Sequence, residues 1–289
     1  MSFLQILILS IIQGAAELLP VSSSAHVIVA ERFMGIDPSS PEMTFFLVML
    51  HTGTMFAVLL YFWRRWKNWF LGPQRWEYLK FVVIATIMTG VIGFILKFTI
   101  EKIFYRTQIH YEIEDLFRNL PLIGTALFSA GLLIIWSGRK DDARPLSNSS
   151  QNLSTNSSIW IGAVQGLCLP FRGFSRSGST ISTALLLGIS RRFAEEFSFI
   201  LAVVLTPPVV LRELLRLRKY QIAMTGDSGL LDSHSILQGV FGMGLSFLAG
   251  LLALRWLSAW LERGKWRFFG YYCLLASVVV FLLSLQPPA

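Results

Sequence analysis

Gln13-Gly14-Ala15-Ala16-Glu17-Leu18-Leu19-Pro20-Val21-Ser22-Ser23-Ser24-Ala25-His26 and Gln165-Gly166-Leu167-Cys168-Leu169-Pro170-Phe171-Arg172-Gly173-Phe174-Ser175-Arg176-Ser177-Gly178-Ser179-Thr180 are two polar clusters in an otherwise apolar chain. Gln13 and Glu17 are four residues apart, so they share one face of an entering helix. Pro20 stops that helix and Ser22 is placed to cap the next, on which His26 follows Ser22 by four residues and Ser23 by three. A hydroxyl, an imidazole and a carboxylate then converge where a helix N-terminus points its free N–H groups, an arrangement that attracts anions and phosphate above all. The second cluster supplies what the first lacks. Arg176 brings a planar, permanently charged fork suited to phosphate oxygens, Gly173 and Gly178 allow close backbone approach, and Ser175, Ser177 and Thr180 add donors. Charge neutralisation, positioned donors, a nucleophile or activated water and a proton carrier are the parts that phosphoryl chemistry needs.

The elements that must position these groups are apolar. Of 289 residues, 54% are hydrophobic and only 15% charged, with a mean hydropathy of +0.58; a soluble domain carries about 25% charged residues. An all-α integral membrane protein follows. The net charge of +8 does not imply nucleic acid, because the basic residues sit at the ends of apolar segments, facing lipid headgroups, and form no continuous patch. Cys168 and Cys273 lie in apolar runs and support neither a disulfide framework nor a Cys-ligated zinc site. The N-terminal stretch has no basic region ahead of its apolar run and is expected to be the first helix, not a cleaved signal.

Stretches long enough to span about 30 Å of hydrocarbon occur at 42–63, 79–98, 119–137, 196–217, 234–257 and 267–285. Two more, 2–33 and 159–190, are each interrupted by one polar cluster and read as re-entrant helical hairpins, tolerated at membrane depth only where protein or a wet cavity satisfies the broken backbone. A shift of 152 residues lays Gln13-Gly14 on Gln165-Gly166 and Phe45 on Phe197. A first repeat (1–144), a polar linker (145–158) and a second repeat (159–289) are therefore expected, each repeat a hairpin followed by three spans. The odd number of spans inverts the second repeat relative to the first. Arg64, Arg65 and Lys67, then Arg139, Lys140 and Arg144, then Arg263, Lys265 and Arg267 mark a cytoplasmic side. Arg212, Arg216, Arg218 and Lys219 disagree with that count, and an amphipathic interfacial helix would accommodate them.

Plainer readings compete. Serines in membrane helices often bond back to carbonyls, an intramembrane histidine is often only held in place, and Gln13 suits a contact between helices as well as a metal. His51, followed by Thr52-Gly53-Thr54, either lines a cavity or, slightly favoured, packs; His110 and His234 read as solvated loop residues. Glu17 and Arg176 resist a bland reading best, since an unpaired charge at membrane depth is expensive. The alternative is a purely structural pair, which would leave the Gly and Ser residues around it unexplained.

Gln13-x-x-x-Glu17, Pro20-Val21-Ser22-Ser23-Ser24-x-His26 and Gly173-Phe174-Ser175-Arg176-Ser177-Gly178-Ser179-Thr180 resemble the signatures of the bacterial undecaprenyl-diphosphate phosphatase family of the bacitracin-resistance type. Glu196-Phe197-Ser198-Phe199-Ile200-Leu201-Ala202 and His51-Thr52-Gly53-Thr54 are similar to further family stretches. The resemblance implies a bacterial inner-membrane enzyme of six spans and two re-entrant hairpins, in an inverted repeat, with its active site open to the periplasm. It would convert undecaprenyl diphosphate to the monophosphate carrier used for peptidoglycan and other envelope polymers, with Mg²⁺ or Ca²⁺ as cofactor. Carried over by motif position, Glu17, Ser23, His26, Ser175, Arg176 and Thr180 are the functional candidates. In the resulting reading Glu17 with Gln13 holds the cation, Arg176 and the two helix N-termini clamp the diphosphate, Ser23 attacks or positions water, and His26 shuttles the proton. Ser22, Ser24 or water alone could take the place of Ser23. Three departures stand out: Phe171-Arg172 separate Pro170 from Gly173 where the family has Pro-Gly, Ala25 stands where Gly is common, and Pro207-Pro208 fall late. Arg172 adds a second guanidinium that would widen substrate choice or tighten the hold on phosphate. Expected partners are the C55 lipid and the bilayer, with a homodimer as an option and no nucleic acid. The rival reading is a flippase or exporter of phosphorylated isoprenoids, which needs the clamp but no proton shuttle.

Overall fold

The structure, a computed structural model, describes residues 1–37, 40–104, 119–144, 153–225 and 233–285. Ten helices account for the secondary structure of these residues: α1 (Phe3–Leu18), α2 (Ser23–Phe33), α3 (Pro41–Leu71), α4 (Arg75–Phe104), α5 (Leu120–Asp142), α6 (Thr155–Cys168), α7 (Arg176–Leu186), α8 (Arg191–Thr225), α9 (Ser233–Glu262) and α10 (Trp266–Ser284). Six of them, α3, α4, α5, α8, α9 and α10, are long and apolar enough to cross a membrane. The other four, of 16, 11, 14 and 11 residues, fall short of the ~20 residues a span requires. They form the two hairpins, α1–α2 and α6–α7. The protein is an all-α integral membrane protein.

Local chemistry sets the helix starts. Ser2 and Gln5 form a capping box for α1, Ser40 caps α3 just ahead of Pro41, and the Asn119 side chain accepts from Leu122 N. A second capping box, Ser154 with Ser157, starts α6. The end of the polar stretch read as linker is therefore helical: its serines satisfy a helix terminus. Residues 145–152 of that stretch, and His110, lie outside the described residues. His234 is on the first turn of α9, exposed, and not in a loop. The long helices overrun their apolar stretches. Most notably, α8 runs through Pro207 and Pro208 and carries Arg212, Arg216 and Arg218 onward, so these basic residues continue the span and do not form a separate interfacial helix. Pro207 and Pro208 are exposed, and the Thr206 hydroxyl bonds the Ala202 carbonyl at 2.8 Å, the kind of side-chain support that keeps a proline-bearing membrane helix intact.

Packing relates the halves. α1 lies along α9, and α6 lies along α4. Gly14 lets the first pair touch: a Cβ there would stand 2.7 Å from Ser246 O. Gly166, its counterpart, does the same in the second pair, where a Cβ would stand 2.7 Å from Thr89 O. Both pairs run parallel, since Leu18 meets Gly250 beyond Gly14, and Gly162 meets Ala85 before Gly166. The corresponding helices α3 and α8 cross antiparallel, with Phe62 stacked on Phe199 and Arg65 bonded to Glu196 at 3.4 Å. Corresponding helices α5 and α10 are antiparallel too: Gly124 faces Phe281 and Gly138 faces Arg267. These are the pairings of an inverted repeat, and they bring the turns of both hairpins together.

Candidate active site

Glu17, on the last turn of α1, is the centre of the arrangement. Arg176 Nη2, from the first residue of α7, donates to Glu17 Oε1 at 2.9 Å. Ser23 Oγ, from the first residue of α2, donates to Glu17 Oε2 at 2.5 Å. Gln13, one turn back on α1, donates from Nε2 to the same Oε2 at 3.1 Å. One carboxylate thus ties together three helices and both hairpins. The pair is mostly buried, with side-chain exposures of 22% for Arg176 and 17% for Glu17. Removing one partner from such a pair strands the other's charge and costs about 3–5 kcal/mol. The fork of Arg176 is half used: Nη1 is buried and has no hydrogen-bond partner among the described residues.

Two histidines flank the cluster in the same pose. His51 Nδ1 bonds Leu47 O at 2.8 Å and His26 Nδ1 bonds Ser22 O at 2.8 Å. A carbonyl only accepts, so in both rings a proton sits on Nδ1, and in the neutral ring Nε2 offers its lone pair. His51 Nε2 accepts from Gln13 Nε2 at 3.2 Å and stands 3.7 Å from Glu17 Oε2. His51 therefore reaches the cluster instead of simply packing. His26 turns elsewhere: its Nε2 accepts from the Tyr272 hydroxyl at 2.6 Å. Tyr272 was invisible to sequence reasoning, being one aromatic in an apolar helix 246 positions away.

The turn of the first hairpin breaks the helix at the expense of its carbonyls, and side chains answer for them. Ser177 Oγ donates to Leu19 O at 3.3 Å, Cys273 Sγ to Pro20 O at 3.3 Å, and His26 to Ser22 O. Ser22 holds the N-cap position of α2, but its side chain makes no capping bond and its backbone sits at φ 68°. That conformation costs a non-glycine residue about 1–3 kcal/mol, and it leaves the first turn of α2 without a side-chain cap. Ser22 Oγ and Ser24 Oγ bond each other at 3.3 Å.

The hydroxyls of the second cluster that are expected to bind phosphate also make hydrogen bonds inside the protein. Ser175 caps α7 by accepting from Gly178 N at 3.2 Å. Ser177 serves Leu19, and Thr180 Oγ1 bonds Arg176 O at 2.8 Å and Ser198 Oγ at 2.6 Å. Gly173, at φ 101°, does allow a close approach, but to α5: a Cβ there would stand 2.3 Å from Ile123 O. Gly178 packs beside Ile134 and Ser175. Arg172 is exposed in the turn between α6 and α7. Of that cluster, Arg176 reaches the carboxylate.

An oxygen-donor set is present for a hard cation. Glu17 offers carboxylate oxygens and Gln13 an amide oxygen, donors of the type Mg²⁺ and Ca²⁺ take. Among the described residues no group of three or more His, Cys, Asp or Glu side chains forms a metal cage. These residues fit a cation that takes further oxygens from a phosphorylated ligand, the usual situation for Mg²⁺.

The chain matches the family described as "Bacitracin resistance protein BacA" over residues 6–279. It is 55% identical over 288 residues to Undecaprenyl-diphosphatase 2 of Acinetobacter baylyi, covering 98% of this chain and 99% of that protein. It is 30% identical to the undecaprenyl-diphosphatase of Rhodopirellula baltica, with 98% of each chain covered. With that of Methanobrevibacter smithii it shares 29% identity, with 99% of each chain covered. A carboxylate, a half-used arginine fork and a hydroxyl brought together by two broken helices thus stand in a chain that, along nearly its whole length, belongs to the BacA family.

Proposed function

We propose that this chain hydrolyses undecaprenyl diphosphate to undecaprenyl phosphate and inorganic phosphate. The observation that carries the reading is the Glu17 carboxylate held between Arg176 and Ser23, with Arg176 Nη1 beside it and without a hydrogen-bond partner among the described residues. The names of the relatives support the same reaction. Arg176 Nη1 and the uncapped first turn of α2 bind the phosphate oxygens. Ser23 is the best placed of the three serines, because it alone bonds Glu17 while Ser22 and Ser24 bond each other. Its proton passes to Glu17 as Oγ, or a water it positions, attacks the outer phosphorus. The bond from that phosphorus to the bridging oxygen breaks, and the bridging oxygen leaves on the lipid monophosphate. Where Ser23 itself attacks, water then frees the phosphate and restores the hydroxyl. Glu17 passes that proton on by way of His26 Nε2, which delivers it to the departing oxygen. Glu17 and Gln13 would hold the divalent cation, Mg²⁺ or Ca²⁺, which would supply neutralisation of the diphosphate charge. The protein works in the bacterial inner membrane with its site facing the periplasm, recycling the carrier for peptidoglycan and other envelope polymers and so opposing bacitracin.

Phosphate release from C55 diphosphate by purified protein in detergent, with Mg²⁺ or Ca²⁺ added, tests this. Glu17→Ala and Arg176→Ala proteins, shown to be folded, should both lose turnover. Folded wild-type protein that binds the C55 lipid without releasing phosphate would sink the hydrolase reading in favour of transport.

A further inference from the structure

The mechanism leaves Tyr272 without a task, although its hydroxyl makes one of the shortest polar contacts near the site. We infer that Tyr272 is a positioning residue for His26 in hydrolysis: it fixes the orientation of the imidazole and the tautomer with the proton on Nδ1. The inference rests on the hydrolase reading of the site.

An imidazole tied at one nitrogen can still swing about that bond, whereas one tied at both has a set orientation and tautomer. The Ser22 carbonyl ties Nδ1 and the Tyr272 hydroxyl ties Nε2. The rings are also stacked, 10° apart in plane with centroids at 5.6 Å. α2 needs this help. It packs principally against α1 and buries only Ala25, Val27 and Glu31. Core packing does not explain the phenol, since Tyr272 is 46% exposed. The next residue gives a second tie, because the Cys273 thiol bonds Pro20 O. Two successive residues of α10 thus hold the turn and the histidine of the first hairpin.

Steady-state phosphate release from C55 diphosphate, with thermal unfolding in the same detergent, tests the inference on Tyr272→Phe, His26→Ala and the double variant. Tyr271→Phe, altering the neighbouring phenol, is the control. Tyr272→Phe should lower kcat about tenfold, a part of the ~10²–10⁴ that a positioned proton carrier contributes, with KM and unfolding temperature unchanged. In the His26→Ala background it should do nothing further. Three results would overturn the inference: wild-type kcat in Tyr272→Phe, an equal loss with and without His26, or a loss that tracks a lowered unfolding temperature. Absence of turnover in the wild type and Tyr271→Phe alike would instead strike down the hydrolase reading itself, and this inference with it.

Discussion

The helices α2 and α7 both begin with serine at the N-cap after a broken turn, yet they live in different surroundings. α7 is enclosed by α5, α6 and α8, and eight of its eleven residues are buried. α2 lies at the side of α1 with three of its eleven buried. Hydroxyl use follows burial. In α7 and its cap, Ser175, Ser177, Ser179 and Thr180 all bond within the protein, and Ser182 accepts from the Trp266 indole at 3.2 Å. In α2, Ser23 is turned to the one carboxylate of the site. Burial forces a hydroxyl to find an internal partner, so the enclosed hairpin serves as a frame for Arg176, and the open one holds the serine and histidine to which the proposed reaction gives the chemistry. The glutamines diverge the same way: Gln13 faces Glu17 and His51, while Gln165 is buried on Thr89.

Breaking the arginine's contribution should show the largest effect. Arg176→Lys keeps a charge but loses the fork, and kcat/KM for phosphate release should fall about 10²–10³-fold in protein that still unfolds near the wild-type temperature. Next come the serines. Ser23→Ala should cut kcat far more than its lost bond to Glu17 lowers stability, whereas Ser177→Ala removes one of the two hydrogen bonds to the Leu19 carbonyl and should cost about 0.5–1.5 kcal/mol of stability at near-normal turnover per folded molecule. Equal turnover losses in both would erase the distinction between frame and reactive hairpin. The two glycines sharpen it further. Gly14→Ala and Gly166→Ala each press a methyl against a backbone oxygen at 2.7 Å and should each destabilise by about 1–3 kcal/mol. Only the first adjoins Gln13, so only it should also alter turnover. The smallest effect belongs to Ser22→Gly, which relieves the positive φ and should raise stability by about 1 kcal/mol. Chemical denaturation in detergent would register it.

Much of this was legible because polar residues are costly in an apolar chain. Pro20 and the serines after it mark the first break, the Gln-Gly pair marks the repeat, and Glu17, Ser23 and Arg176 converge as their motifs suggest. What escaped depends on partners distant in the chain. A sequence shows that Thr180 can donate, but not that Ser198 and the Arg176 carbonyl already claim its hydroxyl. Ser154 and Ser157 read as linker because polarity marks both linkers and caps, and only the three-residue spacing separates the two. Placing His51 in the cluster required knowing which face of a 31-residue helix meets α1.

The partners of the first hairpin also fix the order in which the molecule is completed. α1 lies against α9, and its turn and histidine are held by Cys273 and Tyr272 of α10. These come roughly 230–260 residues later, more than ten seconds at a synthesis rate of about 5–20 residues per second. Until then Glu17, Gln13 and the broken turn lack their final neighbours while the ribosome continues. The hairpin that is made first is seated last, when α10 enters the membrane.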